Sequence, residues 1–245
     1  NQQEGSFMPI GQWIDIYKNG AGDYIVSPKI LEKQNLLKNA GVLTIKMVAL
    51  SGIGKTRLLY ETFKDKTCIS DKSFICLKSD SKDLEQSVIT FFIKDGNDAD
   101  LLILDDCPND VFVRIIAHRD QYNPHCKLIG INNDYFNHLN HVSCNLLKLE
   151  VDDVRKEVYE YIDAEIPAEN GDVFYREQVK KISDGYPFLA IQLVEAFKNC
   201  KHVNALDVEA LMPGLLKIDP AKENNELIVM QTLALFQPLG FSGSR

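Results

Sequence analysis

Residues Met47 to Leu58 read Met-Val-Ala-Leu-Ser-Gly-Ile-Gly-Lys-Thr-Arg-Leu: an apolar strand, a glycine-bearing loop, then a lysine–threonine pair opening a helix. This spacing suits one task, the holding of phosphate. Gly52 and Gly54 permit a backbone that a Cβ would obstruct, so that successive N–H groups can converge on an anion. Lys55 can then reach the outer phosphates, and the Thr56 hydroxyl can ligate Mg²⁺. The following helix presents its positive dipole end to the same place. The residues expected around the phosphates are Ser51, Gly52, Ile53, Gly54, Lys55, Thr56 and Arg57. Ala49 stands where the usual pattern has a first glycine, and alanine is small enough for the strand to leave the sheet there.

A second set of chemical groups lies about 50 residues downstream. Leu101-Leu102-Ile103-Leu104-Asp105-Asp106 is four aliphatic residues followed by two carboxylates. A buried strand of this kind delivers Asp105 to the coordination sphere of Mg²⁺, usually through water, because magnesium keeps most of its hydration. Asp106 would sit beside an attacking water as its general base. A third strand, Lys127-Leu128-Ile129-Gly130-Ile131-Asn132, also ends in a polar residue. In P-loop ATPases with an inserted strand, that strand lies between the two motif strands, which makes Asn132 the candidate sensor of the outer phosphate and Asn133 the second choice.

Such groups need a rigid frame, and the chain has the composition to build one. Of 245 residues, 45% are hydrophobic and 25% charged, as in ordinary globular proteins. The net charge of −8 and the lack of a dense Lys/Arg stripe argue against direct nucleic-acid binding. No apolar run approaches the ~20 residues that cross a bilayer. Six scattered cysteines without a Cys-x-x-Cys pair read as reduced thiols of a cytoplasmic protein. His138, His141 and Cys144 recur every three residues, but without a fourth ligand they read as a solvated turn rather than a zinc site. The chain begins at Asn1 without methionine or a signal-peptide pattern, which reads as an excised fragment.

Apolar runs alternate with helical patterns, as in sheets built from βαβ units. Strands are expected at 44–50, 73–78, 101–105, 127–131 and 146–151, short and apolar as strands covered on both faces are. Helices are expected at 28–39, 55–64, 84–94 and 110–117, with a weak one at 133–139. Beyond 151 the pattern is helical: one helix from Asp152-Asp153, one at 175–183 stopping at Asp184-Gly185, and one from Pro187 to 198. Further helices are expected at 203–217 and 223–236. The division that follows is an entry segment at 1–43, an α/β core at 44–151, a helical lid at 152–222, and the start of another module at 223–245.

Four segments in order, SGIGKTRL, LLILDD, KLIGINND and SDGYPFLAIQLVEAF, resemble the STAND class of signalling NTPases, the NACHT and NB-ARC proteins. The last is similar to their G-L-P-L-A box, here Gly185-Tyr186-Pro187-Phe188-Leu189-Ala190. The resemblance implies a P-loop NTPase fold, with a five-stranded parallel sheet flanked by helices and a small all-helical domain behind it. It also implies that Pro187 packs against adenine, and that the stretch from Leu227 begins a winged-helix module. Two departures stand out. Asn132-Asn133-Asp134 replaces an arginine found after the fourth strand in many NB-ARC members, and Tyr24-Ile25-Val26-Ser27-Pro28 replaces a Gly-Arg pair. By position Ile25 and Val26 could line the adenine pocket.

The expected function is that of an ATP/ADP-binding switch in a larger protein, with slow Mg²⁺-dependent hydrolysis through Lys55, Asp106 and Asn132. Effector and sensor domains would lie outside this chain, in a setting of innate defence or programmed-death signalling, and ATP would favour self-association. The alternatives are a non-catalytic nucleotide-binding scaffold and a P-loop small-molecule kinase. No Asn/Thr-Lys-x-Asp motif for guanine appears, which favours adenine.

Overall fold

The structure is a computed structural model, and it describes residues 7–18, 27–77, 84–94, 98–133, 144–167 and 173–199. The element order is β1 (Phe7–Pro9), α1 (Ile10–Lys18), α2 (Pro28–Lys38), β2 (Thr44–Val48), α3 (Lys55–Phe63), β3 (Ser73–Cys76), α4 (Leu84–Lys94) and β4 (Leu101–Leu104). It continues with α5 (Asn109–Tyr122), β5 (Lys127–Asn132), β6 (Asn145–Lys148), α6 (Val151–Glu165), α7 (Val173–Ser183) and α8 (Pro187–Asn199).

The strands form one sheet in the order β1-β3-β4-β5-β2-β6. Strands β2 to β6 run parallel, and β1 pairs antiparallel with β3. The inserted strand expected between the two motif strands is there: β5 pairs with β2 on one side and β4 on the other. The central strands are buried along their length, Thr44–Val48 and Leu101–Leu104 entirely, which is why Leu101–Leu104 reads as an unbroken apolar run and Thr44–Val48 is mainly apolar.

The five-stranded parallel sheet is corrected to six strands in a mixed sheet. The extra strand is three residues long, ends in Pro9 and leaves no periodic signal. An edge position tolerates a proline that cannot donate to the ladder, and the Phe7 ring stacks on Phe91 of α4 with centroids 4.2 Å apart. At the opposite edge, β6 ends at Lys148 rather than 151, and Val151 opens α6 instead. Only Leu147 of β6 is buried, so that strand lacks the alternation that would have marked its end. Helix α5 runs to Tyr122 because Arg119, a charged residue, is buried in its last turn against the Cys126 carbonyl and Thr44 Oγ1.

Local chemistry starts and stops the elements as the sequence suggests. Pro28 sits in the first turn of α2, and Ser27 Oγ accepts from the Ile30 N–H at 3.1 Å. One face of the sheet is closed by a cluster of Phe92, Phe112, Leu102, Leu104, Ile115 and Leu128. Burying a Leu or Phe side chain contributes about 1.5–3 kcal/mol, and this cluster is what fixes α4 and α5 on the strands.

The chain groups into two compact units. The first holds Asn1–Glu160 with Gly185–Pro187, and the second Tyr161–Asp184 with Phe188–Arg245. Within the second, Asp163 takes Lys180 Nζ at 2.7 Å and Arg176 Nε at 3.2 Å, Lys198 pairs with Glu165, and the Tyr175 and Phe197 rings pack 5.5 Å apart. Ile25, Val26, His138, His141, the weak helix after Asn133 and everything beyond Asn199 lie outside the described residues. Among the described residues no helix is long and apolar enough to cross a membrane.

Candidate nucleotide site

The strands β2, β4 and β5 all end at the same edge of the sheet, so their next residues meet there. After β2 the chain turns through Ser51 to Gly54. Gly52 and Gly54 adopt φ values of +82° and +105°, which an L side chain resists. Ile53, between them, is 1% exposed and anchors the loop. Gly54 is the residue preceding α3, so no side chain caps that helix, whose first turn closes through Leu58 N–H to the Gly54 carbonyl at 2.8 Å. An uncapped helix start behind a left-handed glycine leaves its N–H donors directed at the concavity.

Lys55 lies at the centre. Its Nζ donates to the Ala49 and Leu50 carbonyls, both at 3.0 Å, and to Asn133 Oδ1 at 2.6 Å. All three acceptors are neutral. Burial pushes its pKa below the usual lysine value, while the Asp106 and Asp105 carboxylates pull it back up. Asn132 takes a supporting place: its Oδ1 accepts from the Asn133 N–H at 2.6 Å, which orients the neighbour. The second-choice polar residue, Asn133, is therefore the one that touches Lys55.

The acid turn is shaped by backbone pairing on both sides. Asp105 N–H donates to the Cys76 carbonyl on β3 at 2.9 Å, and Cys107 N–H to the Ile131 carbonyl on β5 at 2.8 Å. Between them Asp106 bends the chain with φ +56°, a left-handed conformation that aspartate tolerates better than most residues. Asp106 is exposed and Asp105 half-buried. Burial first, and the Asp106 charge second, push the Asp105 carboxyl above the usual carboxylate range. A cation placed between these two acids would relieve both effects. The donor set thus fits Mg²⁺ shared with phosphate: Thr56 and Asp105 would hold it, and it would neutralise charge on the phosphate oxygens. Among the described residues no group of three or more His, Cys, Asp or Glu could hold a metal by itself.

Sequence reasoning missed Lys46. It is fully buried in the middle of β2, donates to the Cys107 carbonyl at 2.6 Å, and stands 4.6 Å from the centre of the Phe112 ring. Gly130 of β5, its register partner, makes the room: a Cβ there would lie 2.4 Å from the Phe112 ring. Lys46 thereby ties the loop-bearing strand to the acid turn across an intervening strand. The signal was available, a single charge inside an otherwise apolar, doubly covered strand.

The other candidate residues are placed differently. Arg57 pairs with Glu61 at 2.6 Å and stacks over Tyr60, on the flank of α3. Pro187 opens α8 and is half-buried, two residues after Gly185, which lies against Arg155 of α6.

A phosphate-type loop at the carboxyl edge of a mostly parallel sheet, with an inserted strand between it and an acid-bearing strand, defines a P-loop NTPase fold. No protein-family model matches the chain, and no curated protein matches it. Among solved structures it is similar to a Walker-type ATPase of Pyrococcus abyssi, at 13% identity and a TM-score of 0.48, over 86% of this chain and 75% of that one. Likeness of that degree adds nothing to what strand order and loop geometry establish.

Proposed function

We propose that the chain binds ATP and ADP and serves as the switch module of a larger STAND-type protein, hydrolysing ATP slowly with Mg²⁺. The observation that carries this reading is the placement of Lys55 among neutral acceptors and opposite two carboxylates. Its ammonium can exchange the Ala49 and Leu50 carbonyls for phosphate oxygens, a charge-assisted and stronger pairing. Asn133 holds the lysine's third proton in place during that exchange. Asp106 accepts a proton from an attacking water, and Asp105 with Thr56 positions the metal.

Slow turnover is supported by where the two arginines of α5, the helix after the acid strand, are engaged. Arg114 bonds to Glu85 at 2.6 Å and Asp110 at 3.2 Å, and Arg119 is committed to Cys126 and Thr44. Neither supplies a finger to the phosphates as it stands, which also favours, as the second reading, a scaffold that binds nucleotide without hydrolysing it. The switch reading needs ATP and ADP to differ in affinity for two states of the protein, since a ligand shifts an equilibrium only by that difference. Pro187 is proposed, from the sequence resemblance, to contact the adenine.

The deciding experiment is to denature the purified protein, identify released nucleotide by chromatography and mass, and then follow phosphate release from added ATP. Bound ADP with slow, Mg²⁺-dependent phosphate release supports the switch. Bound nucleotide with no phosphate release and no effect of Asp106→Asn on self-association supports the scaffold. Failure of the parent to bind either nucleotide overturns both.

A further inference from the structure

The opposite edge of the sheet carries a second concentration of polar groups that nucleotide binding does not use. The amino ends of β3, β4 and β5 converge there on a cavity of about 420 Å³. Its wall includes Lys127, Lys38, His125, Ser70, Thr67 and Asp100. Lys127 is the unusual member. It is 8% exposed, and its Nζ donates to the Asn39 carbonyl at 2.7 Å. Among the described residues no carboxylate pairs with it. The one acid of the wall, Asp100, instead accepts from Ser70 Oγ at 2.5 Å.

We propose that this cavity is a second binding site, for a compact anion bearing a carboxylate or phosphate group, with Lys127 as its central donor and Lys38 and His125 at its rim. Three features support the choice of an anion. Lys38 already has a carboxylate near it, Asp65 at 3.9 Å, whereas Lys127 has none among the described residues, so the uncompensated charge of the cavity is the buried ammonium of Lys127. The ammonium of Lys127 has three protons, and the contact to Asn39 uses one of them. Burial without a counter-charge pushes its pKa down to about 8, a penalty that an incoming anion would remove. A cation as ligand is disfavoured by the same arrangement, and a long apolar ligand by the charged wall.

The test separates this cavity from the phosphate loop by using the full chain with Lys55→Ala. Inorganic phosphate and malonate are titrated separately into that variant and into Lys55→Ala/Lys127→Met, by calorimetry. Expected is binding of at least one anion to the first, weakened tenfold or more in the second, with circular dichroism unchanged. Phosphate alone points to a phosphorylated ligand, and malonate alone to a carboxylate. A second measurement needs no substitution at position 127: reductive methylation of the parent chain at pH 7.5, quantified at each lysine by mass spectrometry. Lys127 should be slowed severalfold by the anion that binds, more than Lys38 and far more than exposed Lys156. Absence of binding by both anions, or equal heats in the two variants together with no protection of Lys127, overturns the proposal. Since Lys55 is absent from both variants, that result leaves the nucleotide reading untouched.

Discussion

Lys55 and Lys127 stand at opposite edges of one sheet, and the contrast between them shows how surroundings assign a role to a residue type. Both are 8% exposed, and both donate to backbone carbonyls. Burial pushes both below the ordinary lysine pKa. Lys55 has Asp106 and Asp105 nearby to offset part of that, on the side where the proposed metal and phosphates would share it. Lys127 has only the exposed Cys68 thiol acting in that direction. Burial alone therefore marks neither lysine as functional; the neighbouring charges distinguish them.

The largest expected effect tests the first half of the contrast. Lys55→Ala should weaken ATP and ADP by on the order of a hundredfold, since charge-assisted bonds contribute about 1.5–3 kcal/mol each. Lys127→Met should leave nucleotide affinity unchanged. Calorimetry on the two variants would break the contrast if their losses were equal.

Asp105→Asn should come next. Its effect should appear in the Mg²⁺ dependence, with metal-assisted ATP affinity falling about tenfold and affinity measured in chelator nearly unaltered. An equal loss with and without magnesium would mean that Asp105 acts on the fold rather than on the metal.

Gly130→Ala sharpens the comparison differently, because β5 runs from one lysine's edge to the other's. The added methyl meets Phe112, which supports Lys46, so the expected cost is about 1–3 kcal/mol of stability by chemical denaturation. Phe112→Leu in the same chain should recover part of it. No recovery would show that Phe112 is not the obstacle.

The last test is a pH dependence. The unfolded chain holds the Lys127 proton up to a pKa near 10.5, and the folded one releases it at about 8. Between those values the unfolded state binds more protons, so this group's contribution to stability rises with pH, and below about 8 its penalty is full and constant. The stability difference between the parent and Lys127→Met should therefore shift in the parent's favour from pH 8 to pH 10. A difference that is flat over that range would assign Lys127 an ordinary pKa.

Much of this was legible in the residues themselves. The parallel strands and the loop declared themselves because doubly buried strands must be apolar and phosphate loops must contain glycine. The insertion of β5 between β2 and β4 was expected by resemblance to P-loop ATPases with an inserted strand, not from the residues alone. What stayed hidden was set by contacts distant in sequence. Phe7–Pro9 is a strand only because β3 offers it an edge. Asn133 rather than Asn132 meets Lys55 because Asn132 turns back to orient its neighbour. Lys46 and Gly130 look unrelated until the register lays them side by side. Arg57 was assigned by adjacency to the loop, but the helical turn carries it round to Glu61.

The left-handed backbone at Asp106 limits what drift can do at that position. Asparagine and glycine fit such a conformation readily, whereas β-branched residues are strained there. The substitutions that fold most easily are thus ones that remove the carboxylate, the proposed proton acceptor, while leaving the turn intact. If the proposed hydrolysis holds, its loss would be structurally the cheapest change open to this site, and descendants of such a chain would have a short path from a timed switch to a latch that closes once.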